Sequence, residues 1–79
     1  MTGIPIGTVG RVLVRIRGGD VPGEVELTLQ GTPETCIAYA EEEVPVGADV
    51  LVIASRGGRR IDVVPWQIAL PDNDGEMRT

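Results

Sequence analysis

The chain has 79 residues and a formal charge of −5, with 12 acidic side chains against 7 basic ones, all of them Arg; it has no His, one Cys, one Trp, one Tyr and no Phe. So short a chain supports one domain with a single core, which must be built from Val, Ile, Leu and Ala. Without His and Lys it lacks the commonest general base and transition-metal ligand, and its acidic charge opposes binding to nucleic acid or an anionic membrane.

The first half of the chain predicts a β-hairpin. The apolar segment 11–17 is followed by the Gly-rich loop 18–23 and by segment 24–30, in which apolar and polar residues alternate strictly. Alternation with a period of two is typical of a half-buried strand. We expect an antiparallel register that sets Arg17 opposite Glu24, because one register then satisfies both faces. The further pairs are Ile16 with Val25, Val14 with Leu27, Val12 with Leu29, Arg15 with Glu26 and Leu13 with Thr28.

The middle of the chain is less regular. Segment 35–40 predicts a weaker strand, and segment 41–47 predicts a connector. A short helical turn could begin near Glu41, but Pro45 limits its length because proline cannot donate the helical hydrogen bond.

A second antiparallel hairpin is predicted from segments 48–55 and 60–64. We expect it to close on Gly57-Gly58, since primed two-residue turns require positive φ angles that glycine adopts freely. The expected pairs are Val52 with Val63, Ala54 with Ile61, Leu51 with Val64 and Ile53 with Asp62.

Five short strands in one small chain favour closure, because a closed sheet leaves no exposed edges. The sequence therefore predicts an all-β fold, a small five-stranded OB-fold-like barrel over residues 7–70. Residues 1–6 are expected to form an N-terminal extension. Residues 71–79 are polar and without periodicity, which predicts a flexible acidic tail.

The order of turn glycines and core valines resembles the soluble C-terminal domain of NfeD-like proteins, from about residue 7 to residue 66. These positions specify a fold better than an activity. They are Gly7-x-x-Gly10, Gly23-x-Val25, Ala38-x-Ala40, Gly47-x-x-Val50-x-Val52, Gly57-Gly58 and Val63-x-Pro65.

This resemblance implies a five-stranded OB-fold barrel. Such domains usually follow membrane helices, and their proteins are typically paired with stomatin- or flotillin-type scaffold proteins, which they are thought to help organise at membranes. The Ser-Lys protease-like domain of some longer members has no counterpart here. No apolar run approaches the roughly 18–20 residues that span a bilayer. The interpretation is a cytoplasmic protein that meets a membrane only through a partner.

Neither catalysis nor metal binding is predicted, and no cofactor is expected. Ser55 has no His or Lys to activate it, and apolar neighbours favour a buried, inert thiol for Cys36. The run Glu41-Glu42-Glu43 lacks the spaced ligands of a calcium loop, so a solvated loop is the favoured interpretation. A contact with a basic partner is the alternative.

The candidate partner-binding residues lie on the second hairpin. Its outer side carries four apolar residues in one phase, and exposed apolar patches with Trp are typical of interfaces. These residues are Leu51, Ile53, Val64 and Trp66. The patch could instead be covered by segment 67–70 or by a second copy of the chain.

Arg56, Arg59 and Arg60 cluster at the glycine turn. Internal salt bridges or solvation are the favoured role for the arginines, and this cluster is also predicted to help steer a partner. The prediction is a non-enzymatic protein-interaction module, accessory to a stomatin- or flotillin-type scaffold. The alternative is an OB-fold nucleic-acid-binding protein that uses these arginines. That alternative lacks the aromatic stacking platforms that such sites employ, so nucleic acid is not the expected partner.

Overall fold

The computed structural model describes residues 4–66. The strands are β1 (Val9–Val14), β2 (Gly23–Leu29), β3 (Thr32–Tyr39), β4 (Asp49–Gly57) and β5 (Arg60–Pro65). This described part of the chain contains no helix. The predicted tail 71–79 and the segment 67–70 lie outside it, so the domain boundaries stay predictions.

The five strands close into a barrel in the order β1-β2-β3-β5-β4, with β1 pairing to β4. All pairs are antiparallel except β3 and β5, which run parallel over only three residues each, Ile37–Tyr39 and Arg60–Asp62. The predicted all-β, five-stranded, OB-fold-like barrel is confirmed. Closure gives each strand a neighbour on both sides over part of its length, which protects the sheet edges from pairing with other chains.

The barrel interior is filled by aliphatic side chains from every strand. In β2 the alternation is complete, because Val25 and Leu27 are buried while Glu24 and Glu26 are exposed. Ile4, from the predicted N-terminal extension, also packs against this core. The buried residues are Ile4, Val12, Ile16, Val25, Leu27, Cys36, Ala38, Ala40, Val44, Val50, Val52, Ile61 and Val63.

The first hairpin forms, but the predicted register was wrong. Val12 lies opposite Val25 and Gly10 opposite Leu27, which is four residues away from the expected alignment. β1 ends at Val14, and the pairing shifts between Val12 and Val14. The other predicted pairs of this hairpin fail with it, Arg17–Glu24 and Arg15–Glu26 included.

Close backbone approach at two glycines accounts for the observed register. A Cβ at Gly10 would lie 2.3 Å from Leu27 Cδ2, and a Cβ at Gly23 would lie 2.2 Å from the Val14 carbonyl oxygen. Only glycine fits these positions. Ile16 leaves the hairpin and exchanges two backbone hydrogen bonds with Val44, of 3.0 and 2.8 Å.

The second hairpin keeps the predicted register at one end only. The pairs Val52–Val63 and Leu51–Val64 are confirmed, but Ala54 faces Asp62 instead of Ile61. Ile53 therefore does not face Asp62 as expected. Two shifts in pairing between Val52 and Gly57 move the turn by one residue, so that Gly57 pairs with Arg60.

The remaining segments are close to their predictions. β3 includes residues 35–39 of the predicted weak strand and begins earlier, at Thr32. Segment 41–47 is a connector of bends and a turn, and the possible helical turn near Glu41 does not form.

Candidate partner-binding site

The four apolar residues singled out by sequence lie on the outer side of β4 and β5 or directly after it. Leu51 and Val64 are direct neighbours across the two strands. Leu51 is half-buried, whereas Ile53, Val64 and Trp66 are 45%, 37% and 39% exposed. We call Leu51, Ile53, Val64 and Trp66 the β4–β5 face. Its members alternate with the buried Val50, Val52 and Val63, so that the hairpin is apolar on both sides.

Val9 extends this surface and was missed by the sequence analysis. It lies opposite Leu51 on the other side of β4 and is 46% exposed. Val9, Leu51 and Val64 therefore form an apolar row across three strands. The local pattern contains no signal for this row, because it depends on the closure of the barrel between β1 and β4.

Trp66 stands at the border of the apolar row. Its backbone N–H donates to the Asp49 carbonyl oxygen at 2.9 Å, which continues the β4–β5 pairing beyond Pro65. The Asp49 carboxylate in turn lies 3.9 Å from the Arg11 guanidinium. Trp66 is thus tied to the sheet by its main chain.

Arg56 is engaged within the barrel wall. Its Nε and Nη2 donate to both carboxylate oxygens of Asp62, at 2.8 to 3.2 Å, and its guanidinium lies 3.8 Å from the centre of the Tyr39 ring. The hydrogen bonds to Asp62 raise the pKa of Arg56. The cluster joins β3, β4 and β5 at the end of the parallel pairing, where Tyr39 lies opposite Asp62. A planar guanidinium suits both the ion pair and the ring contact.

The other two turn arginines differ from each other. Arg59 donates to the Glu34 carboxylate of β3, and this hydrogen bond raises the pKa of Arg59. Arg60 is exposed and makes no ion pair within residues 4–66. The predicted cationic cluster therefore presents one unpaired guanidinium in the described part of the chain.

A groove of about 540 Å³ opens beside the β4–β5 face. Its apolar lining comes from both strands and includes Ile53, Val64 and Pro65. The opposite wall consists of Tyr39, Ala40 and the run 41–43, with Gly19 and Asp20 beside them. The acidic run was considered for contact with a basic partner from the sequence, but its position next to the apolar face is visible only in the tertiary structure.

The face that binds nucleic acid in many OB-folds lies on strands 2 and 3. Here β2 presents Glu24 and Glu26 to solvent. Tyr39, at the end of β3, already lies against Arg56. Exposed carboxylates repel phosphates, and no free aromatic platform is found on this face of the described residues.

Ser55, Cys36 and the acidic run 41–43 are the groups considered from the sequence for catalysis or metal binding. The Ser55 hydroxyl accepts a hydrogen bond from the Gly57 N–H at 3.3 Å, within the hairpin. Cys36 is 1% exposed, and burial raises the pKa of its thiol. Glu41, Glu42 and Glu43 are exposed. Between residues 4 and 66 no three carboxylate or thiol side chains come together in a way that could hold a metal ion.

A search of the same residues for helices of sufficient length and hydrophobicity to cross a bilayer finds none.

These features define a small closed barrel domain with an apolar outer face on one hairpin. The chain belongs to the NfeD C-terminal domain family, whose model matches residues 9–64. The match runs from the first residue of β1 to the penultimate residue of β5, and it confirms the resemblance carried by the turn glycines and core valines.

Two solved structures share this fold. The soluble domain of the NfeD protein YuaF from Bacillus subtilis superposes with a TM-score of 0.64 and 24% identity, over 75% of this chain and 70% of that chain. The C-terminal domain of stomatin operon partner protein 1510-C from Pyrococcus horikoshii gives a TM-score of 0.61 and 22% identity, over 78% and 88%. At such identities the likeness concerns the fold. No curated protein shows significant sequence similarity to the chain.

Proposed function

We propose that this domain is a non-catalytic protein-interaction module that acts in the cytoplasm as an accessory to a membrane-associated scaffold of the stomatin or flotillin type. The module docks on its partner through the β4–β5 face. The membrane is reached through that partner.

The observation that carries the proposal is the apolar row of Val9, Leu51 and Val64, flanked by Ile53 and Trp66. Folding requires apolar residues on the inner side of a barrel strand, where Val50, Val52 and Val63 already lie. An apolar outer side adds no buried area to the core, and its exposure to water is unfavourable in free energy. Such a side is typical of a surface that a partner covers. Trp at such a surface is typical of an energetic hot spot.

The type of partner is proposed from the family. One similar structure belongs to a protein described as a stomatin operon partner. The arginines Arg56, Arg59 and Arg60 remain part of the proposed contact surface. Arg60 contributes most to steering, because Arg56 and Arg59 are already paired.

The test is a binding measurement between the purified full chain and the purified stomatin-type scaffold encoded nearest to it, by surface plasmon resonance. Trp66→Ala and Ile53→Ser should each weaken binding about tenfold or more, the loss expected for a central interface residue. The matched control is Ile37→Ser on β3, since Ile37 is 41% exposed and Ile53 is 45% exposed.

Two results would contradict this proposal. One is unchanged affinity for the scaffold after Trp66→Ala and Ile53→Ser together, with the fold verified by circular dichroism. The other is tight binding of single-stranded DNA or RNA that weakens steeply with salt, which would establish the nucleic-acid alternative. Sedimentation velocity of the chain alone reports whether a second copy covers the face.

A further inference from the structure

The groove beside the β4–β5 face arises from the way two parallel strands separate. β3 pairs with β5 only as far as Tyr39 opposite Asp62. Beyond that point β3 ends, while β5 continues through Val63 and Val64 to Pro65. The gap between the departing chain and the continuing strand is the groove. Its floor is therefore strand β5 with its partner β4, and its wall is the segment that follows β3.

The wall is acidic. Five carboxylates line the groove, and the single lining cation is Arg56. Arg56 forms an ion pair with Asp62, and Glu43 forms one with Arg15 at 3.2 Å. The three other carboxylates make no ion pair with any residue between 4 and 66. These are Asp20, Glu41 and Glu42.

The acidic wall is held in place by the backbone. The Gly19 N–H donates to the Glu41 carbonyl oxygen at 3.3 Å, which sets the loop of Asp20 beside the acidic run. At Gly18 the φ angle is +104°, and an added Cβ would lie 3.1 Å from that same Glu41 oxygen. The two backbone segments that carry these charges are thus held side by side before any ligand arrives, which lowers the cost of binding a cation there.

We infer that this groove binds a peptide segment of a protein partner in which Lys or Arg side chains alternate with aliphatic ones. The inference deepens the proposed function and rests on it. The aliphatic side chains lie on Ile53, Val64 and Pro65, and the cationic groups face the unpaired carboxylates of the wall. Complementary charge of this kind selects the partner and speeds its association.

The negative charge of the wall also favours a cationic peptide over other possible occupants of the groove. Segment 71–79 carries Asp72, Asp74 and Glu76 against a single Arg78, so that it has the same sign as the wall. Nucleic acid and anionic lipid are repelled for the same reason. Addition of a strand to β5 is limited, because Pro65 has no N–H to donate. Side-chain contacts therefore carry the recognition.

The probe is a short fluorescein-labelled peptide in which Lys alternates with Leu and Val, and its counterpart with Glu in place of Lys. Fluorescence anisotropy with the full chain should show binding of the Lys peptide alone, weakened as salt rises from about 0.05 M to about 0.5 M. Glu41→Gln combined with Glu42→Gln should weaken it about fivefold to tenfold, as expected for the loss of two exposed ion pairs. Val64→Ser should weaken it as well.

The matched control is Glu24→Gln combined with Glu26→Gln, which removes the same charge from exposed positions of β2. Equal weakening by both double variants would overturn the inference, since only the net charge would then matter. No binding of the Lys peptide would also overturn it. Stronger binding after Ile68→Ser with Leu70→Ser would assign the groove to the chain's own segment 67–70 and overturn the proposed occupant.

The groove inference and the proposed function can be contradicted by different results. If the scaffold binds the wild type and the Glu41/Glu42 variant equally, and loses affinity with Trp66→Ala, the groove inference is wrong and the docking face stands. If no scaffold binds while the Lys peptide still binds at the groove and discriminates the two double variants, the proposed partner is wrong and the groove remains a peptide site.

Discussion

Strands β2 and β5 bury alternate residues in the same core but differ on their outer sides. The outer side of β2 carries the exposed carboxylates Glu24 and Glu26, as expected of a strand that faces water. The outer side of β5 carries Val64 and then leads to Trp66. The side chains of a strand can serve two purposes, packing in the core and contact with a partner. The inner pattern serves folding, and an apolar outer pattern indicates a second contact.

The two hairpins also differ in what determines their register. The first depends on close backbone packing at Gly10 and Gly23, which lie in the strands themselves. The second depends on its turn, where Gly57 and Gly58 have φ angles of 91° and 59° and no neighbouring atom crowds them. One hairpin thus needs glycine for space and the other for conformation.

The largest expected effect is that of Gly23→Ala. The new Cβ would lie 2.2 Å from the Val14 carbonyl oxygen and 2.5 Å from that of Arg15, so the hairpin must move apart. We expect the free energy of unfolding to fall by about 3 kcal/mol, measured by urea denaturation. The control is Gly58→Ala, where a positive φ without crowding should cost about 1 kcal/mol. Since Gly23 has no positive φ angle, equal losses would show that its close backbone approach costs less than expected.

A smaller effect separates the inner and outer sides of β5. Val63 is 1% exposed and its neighbour Val64 is 37% exposed. Val63→Ala should lower the free energy of unfolding by about 2 kcal/mol, whereas Val64→Ala should change it by less than about 0.5 kcal/mol. Affinity for the scaffold should be reduced by Val64→Ala. A stability loss at Val64 equal to that at Val63 would mean that the outer side belongs to the core.

The next prediction concerns the Arg56–Asp62 ion pair, which we expect to stabilise the short parallel pairing of β3 with β5. A double-mutant cycle with Arg56→Gln and Asp62→Asn should give a favourable coupling in the free energy of unfolding, reduced by added salt because the pair is partly exposed. The matched cycle uses Arg11→Gln and Asp49→Asn, whose atoms lie 3.9 Å apart instead of 2.8 Å. Its coupling should be weaker. The opposite order of couplings would exclude a special role for the Tyr39–Arg56–Asp62 cluster.

The smallest expected effect concerns Cys36 on β3, which lies opposite Val25 of the first hairpin. Burial raises the pKa of the Cys36 thiol above its unfolded value, so the folded state holds this proton more tightly. Its contribution to stability is fully present below the unfolded pKa of about 8.5 and is lost as pH rises through the folded pKa. The difference in free energy of unfolding between the wild type and Cys36→Ala should be constant near about pH 7 and should change only toward about pH 10. Rapid thiol labelling of the folded chain at neutral pH would contradict the burial.

Several elements were predictable because they depend on local pattern. Period-two alternation in β2 placed Val25 and Leu27 inside. The pair Val52–Val63 was predicted correctly although the predicted turn on Gly57-Gly58 was wrong by one residue, because two shifts in pairing lie between the pair and the turn. The β4–β5 face followed from the same phase, residue by residue. These predictions needed no knowledge of which strands would meet.

The sequence by itself determined five strands, most of their inner residues and the apolar outer side of the second hairpin, since a period of two can be read from neighbouring residues. Val14 is an exception, because it is in phase with the buried Val12 and is nevertheless exposed. The tertiary structure decided the register of β1, because a shift by an even number of residues preserves the alternation of faces, whereas the close approaches at Gly10 and Gly23 depend on which strands pair. It also decided that Val9 joins the row through the closure of β1 on β4. The acidic groove appears only where β3 departs from β5, because a gap depends on where pairing ends between strands distant in sequence.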